Sequence, residues 1–259
     1  MRLESRRYQC VCGFGCNAAG VIGCRIINSP RERLIAILTN VFVPCNGRFP
    51  LLIAISSIFI STTGITFGAS IFSTITVLLI VLLGIFMTFT ISGILSKTLL
   101  KGFPSTFTLE LPPYRKPQLT RILIRSILDR TLFVLGRAVI IAAPAGIIIW
   151  ILANVSINDY SLLQYITGFF DPVAKLIGLD GYILTAFILG MPANEIVLPI
   201  ILMCYLKSNI LVSLEDYSAI GEILLKNGWT FLTAINVMIF SLLHFPCTTT
   251  LLTIKKETR

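Results

Sequence analysis

Charge is what this sequence is short of. Lys, Arg, Asp and Glu make up 13% of its 259 residues, about half the share of a soluble domain. Hydrophobic residues make up 55%, and the mean hydropathy is +0.89. Too few polar side chains remain to cover a water-facing surface. A soluble globular domain is excluded, and a multi-pass membrane protein is expected. Acids are scarcer than bases, 12 against 21, for a net charge of +9. The bases lie in loops between apolar runs, as the positive-inside rule requires. No aromatic-interleaved basic patch occurs, so nucleic acid is not an expected partner.

Other absences narrow the chemistry. No G-x-x-x-x-G-K-[ST] occurs, which excludes a P-loop GTP site in this chain. No C-x-x-C occurs, which counts against a thiol redox enzyme. The first 30 residues lack a clean apolar core with a small-residue cleavage site, so no secretory leader is expected. Histidine occurs once, as His244. The seven cysteines (Cys10, Cys12, Cys16, Cys24, Cys45, Cys204 and Cys247) form an odd, scattered set rather than a disulfide framework.

What is there is a series of apolar runs. Residues 34–44 are too short for a straight crossing, which needs about 20, and read as a half-helix or re-entrant segment. Residues 51–68, 71–95, 131–153 and 229–246 read as crossings, and 181–206 as a crossing interrupted by Pro192, Asn194, Glu195 and Pro199. The expectation is all-α, a polytopic bundle with about five full crossings and broken or re-entrant pieces. Residues 1–12 form an atypical basic strip, 13–95 a first unit, 96–130 a basic linker and 131–259 a second unit. In the linker, Pro112, Pro113 and Pro117 forbid a continuous helix. Residues 118–130 then put Leu119, Ile122, Leu123 and Ile127 on one face, an interfacial helix. The basic linker belongs on the cytoplasmic side. The charges of 154–180, 207–228 and the C-terminal KKETR agree with that only if 181–206 is a hairpin that enters and leaves on one side.

The interruptions come in pairs. GFGCN (13–17) matches GMPAN (190–194): Gly, an apolar residue, a helix breaker, a small residue, Asn. VPCNGRFPLLI (43–53) matches FPCTTTLLTI (245–254): Pro-Cys, a small or polar stretch, an apolar restart. Broken helices in corresponding positions of two halves point to a transport site at the repeat interface. Irregular backbone at membrane depth is tolerated only inside protein or along a wet cavity. Glu195 lies inside an apolar run, where even the related Asp costs roughly 2.5–3.5 kcal/mol on insertion scales. Cys16, Cys45 and Cys247 each sit at a breaker. Thiolate, amide oxygen and carboxylate together suit a transition metal such as Fe(II). The candidate metal-contacting set is therefore Cys16, Asn17, Cys45, Asn194, Glu195 and Cys247. Each has a plainer reading: the cysteines as small packing residues, Glu195 as a structural ion-pair partner, Asn17 and Asn194 as helix caps. Cys24 and Cys204 read as packing residues, and His244 as a helix-end interfacial residue.

GFGCN, NSPRERL, PCNGRFP, ELPPYRKP, GMPANEIVLP and HFPCTTTLLTIKKET, in that order, resemble the membrane domain of the bacterial ferrous-iron transport protein B (FeoB-type) family, from Gly13 to about Thr258. The resemblance implies two gate repeats and Fe(II) uptake across the cytoplasmic membrane. It maps the gate cysteines onto Cys16 and Cys45, and the second gate onto Asn194, Glu195 and Cys247. Asn194-Glu195 stands where many members have Lys-Glu. Members also carry a GTP-binding domain and helices before GFGCN, and a helix after KKET, none of which is in this sequence. The reading is an Fe(II) permease core, not an enzyme, with Fe(II) as substrate and no permanently bound cofactor. Its expected partners are the lipid bilayer and, left open here, a separate GTP-binding chain, a small accessory iron-transport protein or a second copy. The rivals are a truncated or split-gene fragment and a gate-type carrier of another solute, such as a nucleoside. A membrane thiol enzyme ranks last.

Overall fold

A computed structural model describes residues 14–27, 29–62, 68–98, 124, 133–157, 160–206, 208 and 217–258. The strip 1–12, the ELPPYRKP segment and all but Ile124 of the interfacial helix expected over 118–130 lie outside them. The architecture is helical. In chain order come α1 (Asn17–Gly23), α2 (Pro30–Thr39), α3 (Phe49–Thr62), α4 (Ala69–Lys97), α5 (Phe133–Asn154), α6 (Leu162–Leu176), α7 (Gly181–Leu189), α8 (Val197–Leu206), α9 (Tyr217–Lys226), α10 (Phe231–Leu243) and α11 (Thr248–Glu257). A minimal antiparallel ladder pairs Ser156 with Ser161 and Ile157 with Tyr160 before α6.

Local chemistry sets several starts. Ser29 caps α2 by accepting from the Glu32 amide, with Pro30 in the first turn, a Ser-Pro-x-Glu start in which Pro gives up only an amide that had no helical partner. Thr230 caps α10 through the Thr233 amide. Three described segments are long and apolar enough to cross a membrane: Pro30–Phe59, Ser70–Lys97 and Phe231–Glu257. The first runs through the Pro44-Cys45 break and the third through Pro246-Cys247. Residues 34–44 thus end one helix at the Pro44-Cys45 break, the half-helix expected, and α3 restarts beyond it at Phe49. The restart supplied by Phe49 and Pro50 continues the apolar run. The final crossing likewise runs past 246 into α11.

Within 181–206 the chain breaks between α7 and α8. A further bend lies between α6 and α7, which meet at 110°. Gly178 makes it possible with φ 73°, a left-handed conformation that costs other residues steric strain. Residues 162–176, within the 154–180 stretch between two apolar runs, form an amphipathic helix packed on α7. Residues 217–226 likewise form a helix, α9, whose Ile220, Gly221 and Leu224 are buried and which packs on α3. Its Glu222 and Lys226 stay on the outer side.

The core is a continuous apolar cluster that includes Leu52, Ile55, Ile183, Ile200, Leu224 and Val237. α3 sits centrally, against α4, α9 and α10. The outer faces of α4 and α5 expose Leu79, Phe86, Ile140, Ile147 and Trp150, which suits hydrocarbon and not water.

Candidate functional site

Three of the four sequence interruptions are helix breaks among the described residues, the described part of the fourth leads into α1, and the fold brings all four together. Within each half, the Gly-type break bonds to the Pro-Cys break. The Asn46 amide donates to the Gly15 carbonyl at 3.1 Å, and the Thr248 amide donates to the Met191 carbonyl at 2.9 Å. Asn46 and Thr248 both directly follow Pro-Cys, so the two bonds are near-equivalents. Between halves the pairing is reciprocal. The turn Asn46–Arg48 packs on the turn Asn194–Ile196, and α1 packs on α11. Each half's first break therefore meets the other half's second, the arrangement expected of two related repeats around one site.

Each break restarts a helix, and the cysteines mark the restarts. Cys16, Cys45 and Cys247 occupy the cap positions of α1, the Asn46–Arg48 turn and α11, all with extended backbone. None uses its sulfur to cap. The asparagines expected as caps are instead the first helical residues after the break, Asn17 in α1 and Asn194 in its turn.

One side-chain contact at the breaks joins a cysteine of the first half to an asparagine of the second. Asn194 Nδ2 donates to Cys45 Sγ at 3.7 Å, with both residues buried. The other amide atom, Asn194 Oδ1, is buried with no partner. Glu195 is exposed and lies along Gly47: a Cβ on that glycine would stand 3.2 Å from Glu195 Cγ and 3.4 Å from Oε1. The carboxylate is thus at the edge of the Cys45–Asn194 pair rather than sealed inside, as its apolar neighbours in sequence suggest. Cys247 is half-buried, with Sγ 3.2 Å from Thr250 Oγ1. Cys16 is exposed and joins the site only through the backbone of Gly15. Asn17 is buried, and its carbonyl accepts from Asn40 Nδ2 at 2.9 Å. Among the described residues no three His, Cys, Asp or Glu side chains gather closely enough to hold a metal ion. The site as folded offers a thiol, an unpartnered amide oxygen and a neighbouring carboxylate. Cys24 and Cys204 are buried away from the breaks, Cys24 donating to the Gly20 carbonyl.

Two residues carry more than their sequence reading. His244 is buried, not interfacial. Its ring packs among Phe187, Phe240 and Phe245. Nδ1 lies 2.8 Å from the Ser241 carbonyl, so Nδ1 carries the proton and Nε2 keeps its lone pair in the neutral ring. Arg48, passed over in the sequence, is 1% exposed, and its guanidinium donates to backbone carbonyls ahead of both Pro-Cys breaks. The signal was available: Arg48 is the single charged residue between Arg33 and Lys97.

Comparisons with known proteins place the sequence among its relatives. A family model described as ferrous iron transport protein B C terminus matches residues 77–129. A second, described as Gate, nucleoside recognition, matches residues 135–259. The Fe(2+) transporter FeoB of Staphylococcus aureus (strain COL) is 30% identical over 256 residues, covering 96% of this chain. The chain belongs to the ferrous iron transport protein B family. FeoB proteins of Methanocaldococcus jannaschii and Synechocystis are 25% and 27% identical over 95% and 92% of the chain. The chain spans 36% of the length of the Staphylococcus aureus FeoB and 37% of the Synechocystis one. No solved structure matches it.

Proposed function

We propose that this chain is the permease core of a ferrous-iron uptake system of the cytoplasmic membrane, and that Fe(II) crosses where the four interruptions meet. The observation that carries the reading is the Cys45–Asn194 pair, contributed by opposite halves, with the Asn194 oxygen left without a protein partner. A buried, unsatisfied amide oxygen is costly unless something else meets it. Beside a thiol and a carboxylate, the donor set fits Fe(II) better than Mg(II) or Ca(II), which take oxygen ligands only. In this reading Fe(II) sheds water to Cys45 Sγ, Asn194 Oδ1 and the Glu195 carboxylate. Cys16, Asn17 and Cys247, at the other breaks, receive it as the helices rearrange. No chemical conversion is part of the cycle, so the chain acts as a permease and not an enzyme.

The test is anaerobic uptake of radiolabelled Fe(II) into vesicles holding this chain, with either excess Co(II) or excess adenosine as competitor. Suppression by Co(II) and indifference to adenosine is the expected result. Suppression by adenosine alone would make the chain a nucleoside carrier.

A further inference from the structure

A buried arginine at membrane depth costs about 2.5–3.5 kcal/mol on insertion scales, so the partners of Arg48 decide its role. Nη1 donates to the Val41 carbonyl at 3.0 Å and the Leu242 carbonyl at 3.1 Å. Nη2 donates to the His244 and Phe245 carbonyls, both at 3.4 Å. Nε is buried with no partner. Among the described residues no carboxylate pairs with the guanidinium. All four acceptors are neutral, and all four lie just before a Pro-Cys break: Val41 before Pro44-Cys45, and Leu242, His244 and Phe245 before Pro246-Cys247. Carbonyls freed where a helix breaks are natural cation ligands. Here the protein's own cation fills them.

We propose that Arg48 is a tethered cation that pins the two Pro-Cys breaks together and keeps the path shut between transits. The proposal rests on the reading that the breaks form the path. The pin is releasable because of its acceptors. Bonds to neutral carbonyls are weaker than a bidentate carboxylate pair, and Nε contributes none. A divalent cation arriving at Cys45, three residues away in sequence, repels the guanidinium in a medium that screens poorly. The cargo therefore weakens the pin as it arrives. The second half has no equivalent: Thr250 stands in the position corresponding to Arg48 and bonds to its own Cys247. One residue thus holds both breaks.

The test reads thiol accessibility and needs no iron, so it stands apart from the transport reading. The whole chain, in membranes, is treated with N-ethylmaleimide, and each cysteine is followed by mass spectrometry. In the wild type, Cys16 reacts and Cys45 is protected. Arg48→Met is expected to speed Cys45 modification about tenfold or more, as loss of a local closing contact does, while Cys24 and Cys204 stay protected. Arg48→Lys keeps the charge but loses the fork that spans four carbonyls and is expected to fall between. Protection of Cys45 in both variants would overturn the proposal. So would reaction of Cys24 and Cys204 alongside Cys45 in both, because Arg48 would then hold up the whole fold and not the gate.

Discussion

The two Pro-Cys breaks share a skeleton and differ in what they attach to it. In the first half, Pro44-Cys45-Asn46-Gly47-Arg48 is mostly buried, and its side chains reach across the molecule: Cys45 to Asn194, Arg48 to the carbonyls of 242, 244 and 245. In the second half, side chains of Pro246-Cys247-Thr248-Thr249-Thr250 bond within that half, Cys247 to Thr250 in its own turn and Thr248 to the Met191 carbonyl. The backbone device is repeated, but the chemistry is not. Internal repetition builds the paired breaks, and divergence of a few residues decides which side chains reach across between them. Cys45 is the break cysteine whose sulfur meets the other half, whereas Cys247 bonds within its own turn.

The largest expected effect sharpens that contrast. Cys45→Ser should cut anaerobic Fe(II) uptake about tenfold or more, the scale of losing a metal-site group, and Cys247→Ser by only about threefold, at equal protein level in the membrane. Equal losses would erase the distinction. Next comes Gly47→Ala, which has no parallel in the second half. Its Cβ would press on Glu195, and uptake should fall by about threefold to tenfold with stability changed by less than about 1 kcal/mol. An unchanged rate would remove Glu195 from the path. Gly84→Ala should act on the scaffold and not on the site. Its Cβ would stand 2.6 Å from the Phe42 carbonyl and 3.0 Å from Leu242 Cδ1, forcing α4 off both broken crossings. A destabilisation of about 1–3 kcal/mol is expected in thermal unfolding in detergent. The smallest effect is Cys204→Ala, a thiol buried among apolar side chains in α8. Uptake should be unchanged, and stability should fall by about 1 kcal/mol.

The breaks were legible because Gly, Pro and Asn act locally, and their repetition across two halves was legible as a pattern. Which break meets which was not. The reciprocal packing of 46–48 on 194–196 and of α1 on α11 joins residues far apart in sequence, with no local signal. The end of the 34–44 run at Pro44 was legible for the same local reason as the breaks, and α3 restarts just beyond it at Phe49. The turn at 177–180 was hidden within the 154–180 stretch between two apolar runs; the amphipathic spacing of Leu163, Thr167 and Ala174, all buried, was the missed cue. Glu195 drew notice as a charge in an apolar run. The same rule applied to Arg48 would have found the residue that ties the two breaks together.

The claim that Cys45 and Asn194 form the metal-contacting centre can be read directly by X-ray absorption on the protein loaded anaerobically with Fe(II). The account predicts a sulfur ligand shell in the wild type that disappears in Cys45→Ser and persists in Cys204→Ala. A spectrum with oxygen and nitrogen ligands alone, unchanged by Cys45→Ser, would contradict it.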